Sequence, residues 1–330
     1  MSTQQIGKCL WILWNYVQLY ALGAWYLLKE LCIPHKKPTG IMNQSGRVAI
    51  VTGGGRGIGF ETVRQFLELD MTVIIAGRNV PVLEVAISEV RAQGVKRGIA
   101  KCLELNLMSL SSVRKFAKDF LALSLPLHIL VNNAGIMFWP CEMTEDGYES
   151  HWSVNYLGHF LLTHLLFPTL VASSSLESPS RVVNLTSSVH YIGSINFDDI
   201  NYMRHYSAQA AYAQSKLAQL MFSITLADHQ KASGRNILIN AIHPGVVATD
   251  LFQHVAWART FPFLARTFLK APHQGSDTVV YVAMSSHVKE GGHYYENCTK
   301  TKPASAALRN EDRARLWALS CQQLQIEQFW

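Results

Sequence analysis

The stretch VAIVTGGGRGIGF, residues 48–60, decides how the rest of this chain is read. A short apolar run, Val48–Val51, ends in Thr52 and passes directly into Gly53-Gly-Gly-Arg-Gly-Ile-Gly59. A segment with Val63, Phe66 and Leu67 at helical spacing follows at once. In a strand–turn–helix of this kind Gly53 permits the tight turn, Gly57 lets the backbone approach a pyrophosphate, and Gly59 lets helix and strand pack closely. The unpaired N–H groups and positive dipole end of the helix then face the phosphates. A glycine pattern alone is only a turn. Its place between a first strand and a first helix is what points to a dinucleotide.

Outward from this turn, short apolar runs alternate regularly with helical stretches. Strands are expected at Val48–Val51, Thr72–Ala76, Ile99–Leu105, Ile129–Asn132, Val182–Thr186 and Ile237–Ile242. Helical spacing lies between them, as at Val113, Phe116 and Phe120. Runs nearly continuous in Val, Ile and Leu, separated by helices, predict a parallel sheet covered on both faces. Right-handed crossovers make that an α/β, doubly wound, Rossmann-type sheet in a single domain. The expected organisation is an N-terminal hydrophobic segment (1–31), a linker rich in Pro, Gly and Lys (32–46) and a catalytic domain (47–330).

The end of the second strand bears on the cofactor. An NAD site presents Asp or Glu there to the ribose 2′-hydroxyl. This chain reads Ile75-Ala-Gly-Arg-Asn79, without an acid. Arg56 in the glycine turn and Arg78 suit a 2′-phosphate, because a guanidinium matches phosphate geometry. NADP(H) is therefore expected ahead of NAD(H).

Tyr212-Ala-Gln-Ser-Lys216 falls in a helix expected over 208–228, and its spacing puts Tyr212 and Lys216 on one face, a turn apart. A phenol with a pKa near ~10 is a poor base at neutral pH, and a neighbouring ammonium favours the phenolate. Ser187 closes the fifth strand, where its hydroxyl would hold a substrate oxygen. Asn155 lies in a helix expected over 150–167, and Asn132-Asn-Ala-Gly135 follows the fourth strand. His243-Pro-Gly245 and Thr249 follow the sixth. All fall at the carboxyl edge of the sheet, where α/β proteins bind ligands.

This combination resembles the short-chain dehydrogenase/reductase family over residues 46 to about 323. The resemblance implies a catalytic tetrad of Asn155, Ser187, Tyr212 and Lys216. Tyr212 would be the general acid/base and Ser187 would polarise the substrate oxygen. Lys216 would lower the tyrosine pKa and bind the ribose, and Asn155 would support a water relay. It also implies a cofactor site of Thr52, Gly53, Gly55, Arg56, Gly57, Ile58 and Gly59, with Arg78, Asn106 and Leu107 around the adenosine. Asn133, Ala134, Gly135, Tyr212, Lys216, Pro244, Gly245, Val247 and Thr249 complete it. Asn106 stands where the family usually has Asp, and an amide oxygen still accepts from an adenine amino group.

Within the family, Asn155-Tyr-Leu-Gly-His-Phe-Leu-Leu-Thr163, Pro244-Gly-Val-Val-Ala-Thr-Asp250 and Gly291-Gly-His-Tyr294 resemble the microsomal retinol dehydrogenase group. His254-Val-Ala-Trp-Ala258 and Tyr212-Ala-Gln-Ser-Lys-Leu-Ala218 are closer to its polyprenol dehydrogenase-like members. The resemblance implies a lipophilic substrate: long isoprenoid alcohols and aldehydes first, retinol and retinal second. A cofactor-sensing scaffold without turnover is the expectation from another class. An insertion carrying Phe197, Tyr202 and Tyr206, and the aromatic and basic run Leu251–Lys270, read as substrate-facing elements, the latter as a lid.

The N-terminus fits a lipid-soluble substrate. Cys9–Leu28 holds twenty residues without a formal charge, and at about 1.5 Å per residue such a helix matches a bilayer core. Trp11, Trp14, Trp25 and Tyr26 sit near its ends, and Lys29, Lys36 and Lys37 follow. An uncleaved anchor of the endoplasmic reticulum with a cytosolic catalytic domain is expected. Asn15 and Gln18 leave an interfacial helix open, and Ala21 and Gly23 a cleaved signal with a lumenal or secreted domain. Sequons at Asn43, Asn184 and Asn297 matter only in that last case. The net charge of +6 comes without a basic block, so nucleic acid is not expected as a partner, while a second copy of the chain is. Six scattered cysteines without a Cys-x-x-Cys pair give no support for a metal site.

Overall fold

The computed structural model describes residues 3–251 and 269–329. Six strands, β1 (Val48–Thr52), β2 (Thr72–Gly77), β3 (Ile99–Glu104), β4 (Ile129–Asn132), β5 (Ser180–Leu185) and β6 (Ile237–His243), fall on the six apolar runs, with ends shifted by a residue or two. Two short strands not expected from the sequence, β7 (Tyr294–Glu296) and β8 (Thr299–Thr301), extend the sheet. The order is β3-β2-β1-β4-β5-β6-β7-β8. All pairings are parallel except β7 with β8. The order reverses between β1 and β4, which opens a crevice at the carboxyl ends of those two strands.

Burial explains the apolar runs. Every residue of β1 and β6 is buried, so neither strand has a solvent face to mark with polar residues. Alternate residues serve two cores. Ile50 and Ile74 face α4 (Leu110–Ala122), α5 (Gly158–Ala172) and α6 (Ala208–Ala232), together with Phe116, Phe160 and Phe222. Val51 and Ile75 face α2 (Gly57–Glu68), α3 (Val80–Ala92) and α7 (Pro272–Met284), together with Phe66, Leu83 and Val279. Each such aliphatic or aromatic side chain contributes roughly 1.5–3 kcal/mol by leaving water. A last helix, α8 (Asn310–Leu324), packs Leu316 and Leu324 onto the first core.

Among the described residues one helix, Trp152–Ala172, is long and apolar enough to cross a membrane, and it is mostly buried within the fold. The N-terminal helix α1 (Thr3–Cys32) lies against the catalytic unit. Leu19 and Tyr26 are buried there, and Trp11 packs on Tyr202 with ring centroids 6.1 Å apart. Its opposite face is apolar and exposed, through Leu10, Leu13, Trp14, Val17, Trp25, Leu28 and Leu31.

Candidate active site

The glycine turn is built on Thr52. Its hydroxyl accepts from the N–H groups of Asn133 (2.9 Å) and Ala134 (3.0 Å), tying β1 to the end of β4. The Asn133 amide donates back to the Thr52 carbonyl at 2.7 Å and to that of Gly53 at 3.3 Å. Gly53 sits at φ +66°, where a side chain is strained. A Cβ on Gly59 would lie 2.2 Å from the Gly53 carbonyl oxygen, so helix and turn meet with no room for a methyl group. Gly55, Arg56, Gly57 and Ile58 then face an open cavity of about 780 Å³. A cradle closed below by Thr52 and Asn133 and open above to a helix N-terminus fits a dinucleotide pyrophosphate.

The same cavity reaches the tetrad. Ser187 ends the segment after β5 and caps a 3-10 turn, Ser188–Tyr191. Tyr212 and Lys216 project from α6, and all three side chains line the cavity. The Ser187 hydroxyl stands close enough to the Tyr212 phenol to favour its ionised form. Burial pushes that phenol up to about 12, with the neighbouring Ser187 hydroxyl acting in the opposite direction. Burial also lowers Lys216 to about 7. Its ammonium donates to the Leu185 carbonyl at 2.7 Å and to the Gln219 side chain at 3.3 Å. The resemblance implies that Lys216 lowers the tyrosine pKa. Here its charge is turned onto two oxygens of the protein, and desolvation dominates at the phenol.

Asn155 does not line the cavity; it stands behind it. It falls in a π-helical turn, Trp152–Leu157, that begins the helix expected over 150–167. Its amide accepts from the N–H of Ile136 at 2.9 Å and donates to the Ile136 carbonyl at 3.0 Å and the Ser215 hydroxyl at 2.9 Å. Between Asn155 and Lys216 lies Gly135, where a Cβ would sit 3.2 Å from the Asn155 oxygen and 3.6 Å from the Lys216 nitrogen. A π turn of this kind is often found at functional sites.

The remaining expected cofactor residues ring the cavity at the carboxyl ends of β2, β3, β4 and β6: Arg78, then Asn106 and Leu107, then Ala134, then Pro244, Gly245, Val247 and Thr249. Arg78 is exposed, and no carboxylate pairs with it among the described residues. Arg56 pairs with Asp250 at 3.1 Å, both side chains about two-thirds exposed, a contact worth only about 0–1 kcal/mol. The Asn106 oxygen accepts from the Met108 N–H at 3.1 Å and keeps one lone pair for an adenine amino group.

Of the two substrate-facing expectations, the aromatic insertion comes out differently and the lid falls largely outside the described residues. Phe197, Tyr202 and Tyr206 do not line the cavity. Phe197 lies under Arg315 at 4.2 Å, Tyr202 meets Trp11, and Tyr206 donates to the Trp139 carbonyl at 2.8 Å. The insertion thus braces the wall rather than forming it. Of the expected lid, Leu251–Lys270, residues 252–268 lie outside the described residues, as does the His254–Ala258 motif.

What the sequence reading missed is the part α1 plays. Leu19, Leu22, Gly23 and Leu27 line the cavity, and Leu19 shares an apolar cluster with Met137, Val189 and Tyr212. Glu296 on β7 accepts from the Tyr26 hydroxyl at 2.7 Å and from Lys29 at 2.5 Å, and from Tyr294 at 2.6 Å. Glu30 accepts from the N–H of Val246 at 3.0 Å, next to Pro244-Gly245, and lies 3.4 Å from Lys270. The only sequence signal was Lys29-Glu30, a charged pair ending an uncharged run. Elsewhere, among the described residues, no group of His, Cys, Asp or Glu is arranged to hold a metal.

A dinucleotide cradle opening onto a Ser–Tyr–Lys cluster at the switch point of a parallel sheet defines a nicotinamide-dependent oxidoreductase. The family model for short chain dehydrogenase matches residues 47–259. Polyprenol dehydrogenase from Mus musculus is 43% identical, with 91% of each chain covered. Retinol dehydrogenase 12 from Bos taurus is 39% identical, covering 85% of this chain and 87% of its own. A solved structure of an uncharacterised protein from Mycobacterium Paratuberculosis is 31% identical with a TM-score of 0.72, covering 88% of this chain and 98% of the other. The chain belongs to the short-chain dehydrogenase family and is an NAD(P)-dependent oxidoreductase acting on CH–OH groups.

Proposed function

We propose that this enzyme interconverts a long isoprenoid alcohol and its aldehyde, using NADP(H), at a membrane surface. The observation that carries the substrate class is the wall beside Tyr212. Beyond the polar tetrad it is made of Leu19, Leu22, Leu27, Met137, Phe138 and Val189, with no charged side chain among them. Likeness to both polyprenol and retinol dehydrogenases supports a lipophilic alcohol.

When bound, the nicotinamide ring supplies or accepts the hydride. Tyr212 gives its phenolic proton to the carbonyl oxygen in reduction and takes the alcohol proton in oxidation. Its raised pKa keeps the proton in place at neutral pH, which suits the reductive direction. Ser187 holds the same oxygen and carries part of the developing charge. Lys216 would meet the ribose, and Asn155 holds the Ile136 backbone beside the tetrad. Thr52, Asn133 and the glycine turn would seat the pyrophosphate. Arg78, without a carboxylate partner among the described residues and helped by Arg56 once it leaves the weak Asp250 pair, favours a 2′-phosphate.

For the membrane, the two-sided packing of α1 supports an in-plane attachment over a full crossing. One face binds the catalytic unit and the other offers a stripe of large apolar side chains, as interfacial helices do. Retinal is the second reading, supported by a relative of similar identity. Purified full chain in mixed micelles with NADPH separates the two. A polyisoprenal should be reduced with the higher kcat/KM, and turnover of all-trans-retinal alone would overturn the isoprenoid reading.

A further inference from the structure

The N-terminal helix lines the cavity with six residues between Leu19 and Leu27, and one of them carries no side chain. Leu19, Leu22 and Leu27 present isobutyl groups to the chamber. Gly23, between them, lines it with bare backbone, and a Cβ built there meets nothing within 4 Å. Its conformation does not ask for glycine, since its φ is ordinary helical. In a helix interior glycine costs about 0.5–1 kcal/mol relative to Ala. A glycine that neither the backbone nor a neighbouring atom requires leaves a gap in an otherwise leucine-lined wall. Tyr20 and Ala24, which flank Gly23 on the helix surface, also border the cavity and are exposed, so the chamber is open along this stretch of α1.

The wall is held firmly. Tyr26 and Lys29 are bonded to Glu296, and Glu30 to the Val246 N–H, so the carboxyl half of α1 is tied to β7 and to the segment after β6. Leu19 packs in the same cluster as Tyr212. A substrate whose oxygen reaches Tyr212 therefore has its chain against this helix. A short chain stays within the chamber. A long one must leave it, and around the helix Tyr20 and Ala24 stand between Gly23 and the exposed apolar side chains of Val17, Leu28 and Leu31.

We propose that α1 is the chain-selecting wall of the substrate chamber, with Gly23 the gap through which a long apolar chain leaves the site. This rests on the lipophilic-alcohol reading above. The test compares wild type with Gly23→Ala, Gly23→Leu and Gly23→Trp in the full chain. It measures kcat/KM with NADPH for a long polyisoprenal and for decanal. NADPH affinity and Tm are followed in parallel to show that each variant is folded. The ratio of long to short substrate should fall in the order Ala, Leu, Trp, by at least tenfold at Trp. If the Trp variant does not fold, the Leu variant carries the test, since leucine is a good helix former. Wild type that reduces the polyisoprenal, with a ratio unchanged across folded variants, would overturn the gap while leaving the substrate reading intact. Wild type that reduces decanal but no polyisoprenal would overturn both.

Discussion

Replacing Gly59 by alanine tests the dinucleotide cradle through steric contact alone. The new methyl group would sit 2.2 Å from the Gly53 carbonyl oxygen, 2.6 Å from the Asn133 amide nitrogen and 2.9 Å from the Gly53 carbonyl carbon. The first contact is short by roughly 1 Å of an ordinary carbon–oxygen approach, and its partner is backbone, which cannot swing away. Relief requires the turn to lift from α2. That strains the Asn133 bonds to Thr52 and Gly53. Overpacking of this kind costs about 1–3 kcal/mol, and each weakened hydrogen bond about 0.5–1.5 kcal/mol more. Together they amount to roughly 2–6 kcal/mol. A chain of this length has an unfolding entropy near ~0.7 kcal/mol per degree, so Tm should fall by about 3–9 °C. Scanning fluorimetry with and without NADPH measures both consequences, and the NADPH-dependent rise in Tm should shrink as well. Normal NADPH stabilisation in Gly59→Ala would refute the placement of the pyrophosphate on this turn.

Further outcomes follow from other contacts. Arg78→Asp should weaken NADPH binding more than NADH binding, by about 1–3 kcal/mol for a lost charged contact, and calorimetry with both nucleotides reads the difference. Equal losses would leave the 2′-phosphate without its partner. Lys216, held near 7 when folded and at its ordinary value when unfolded, binds more protons in the unfolded chain between about pH 7 and 10. Stability of the apoprotein should therefore rise with pH from 7 to 9, by up to ~1.4 kcal/mol per unit, and Lys216→Met should flatten that slope in urea titrations. Glu30→Ala strands the Val246 N–H and should cost about 1–3 kcal/mol with a raised KM for NADPH, whereas Glu30→Gln, which keeps an acceptor oxygen, should recover much of the loss. A KM indifferent to both changes would separate α1 from the segment after β6.

The parts of the fold read most easily from sequence were those whose signal is local. β1 and β6 are buried along their whole length, and the glycine turn is one continuous string of residues. Ser187, Tyr212 and Lys216 converge because topology puts the end of β5 beside α6, so the edge rule found them together. β7 and β8 gave no such signal. They are three residues each, and their residues alternate with charge and hydroxyl groups. The role of α1 was hidden for a different reason. Its apolar residues surround the helix, so composition spoke for a bilayer crossing, while the partners that dock it, Val246 and Glu296, lie more than two hundred residues away. The aromatic insertion misled in the opposite sense, since Phe197 and Tyr202 found partners in Arg315 and Trp11 instead of the substrate chamber.

The most direct measurement is hydride transfer by Tyr212→Phe, which removes one oxygen from a buried ring and leaves the edge contact of Phe138 with that ring, 5.6 Å between centroids, in place. The variant should bind NADPH with wild-type affinity and reduce a polyisoprenal at least a hundredfold more slowly, in line with loss of a general acid. A wild-type rate in that variant would mean that the proton comes from elsewhere and that the Ser187–Tyr212–Lys216 cluster is not where the chemistry happens.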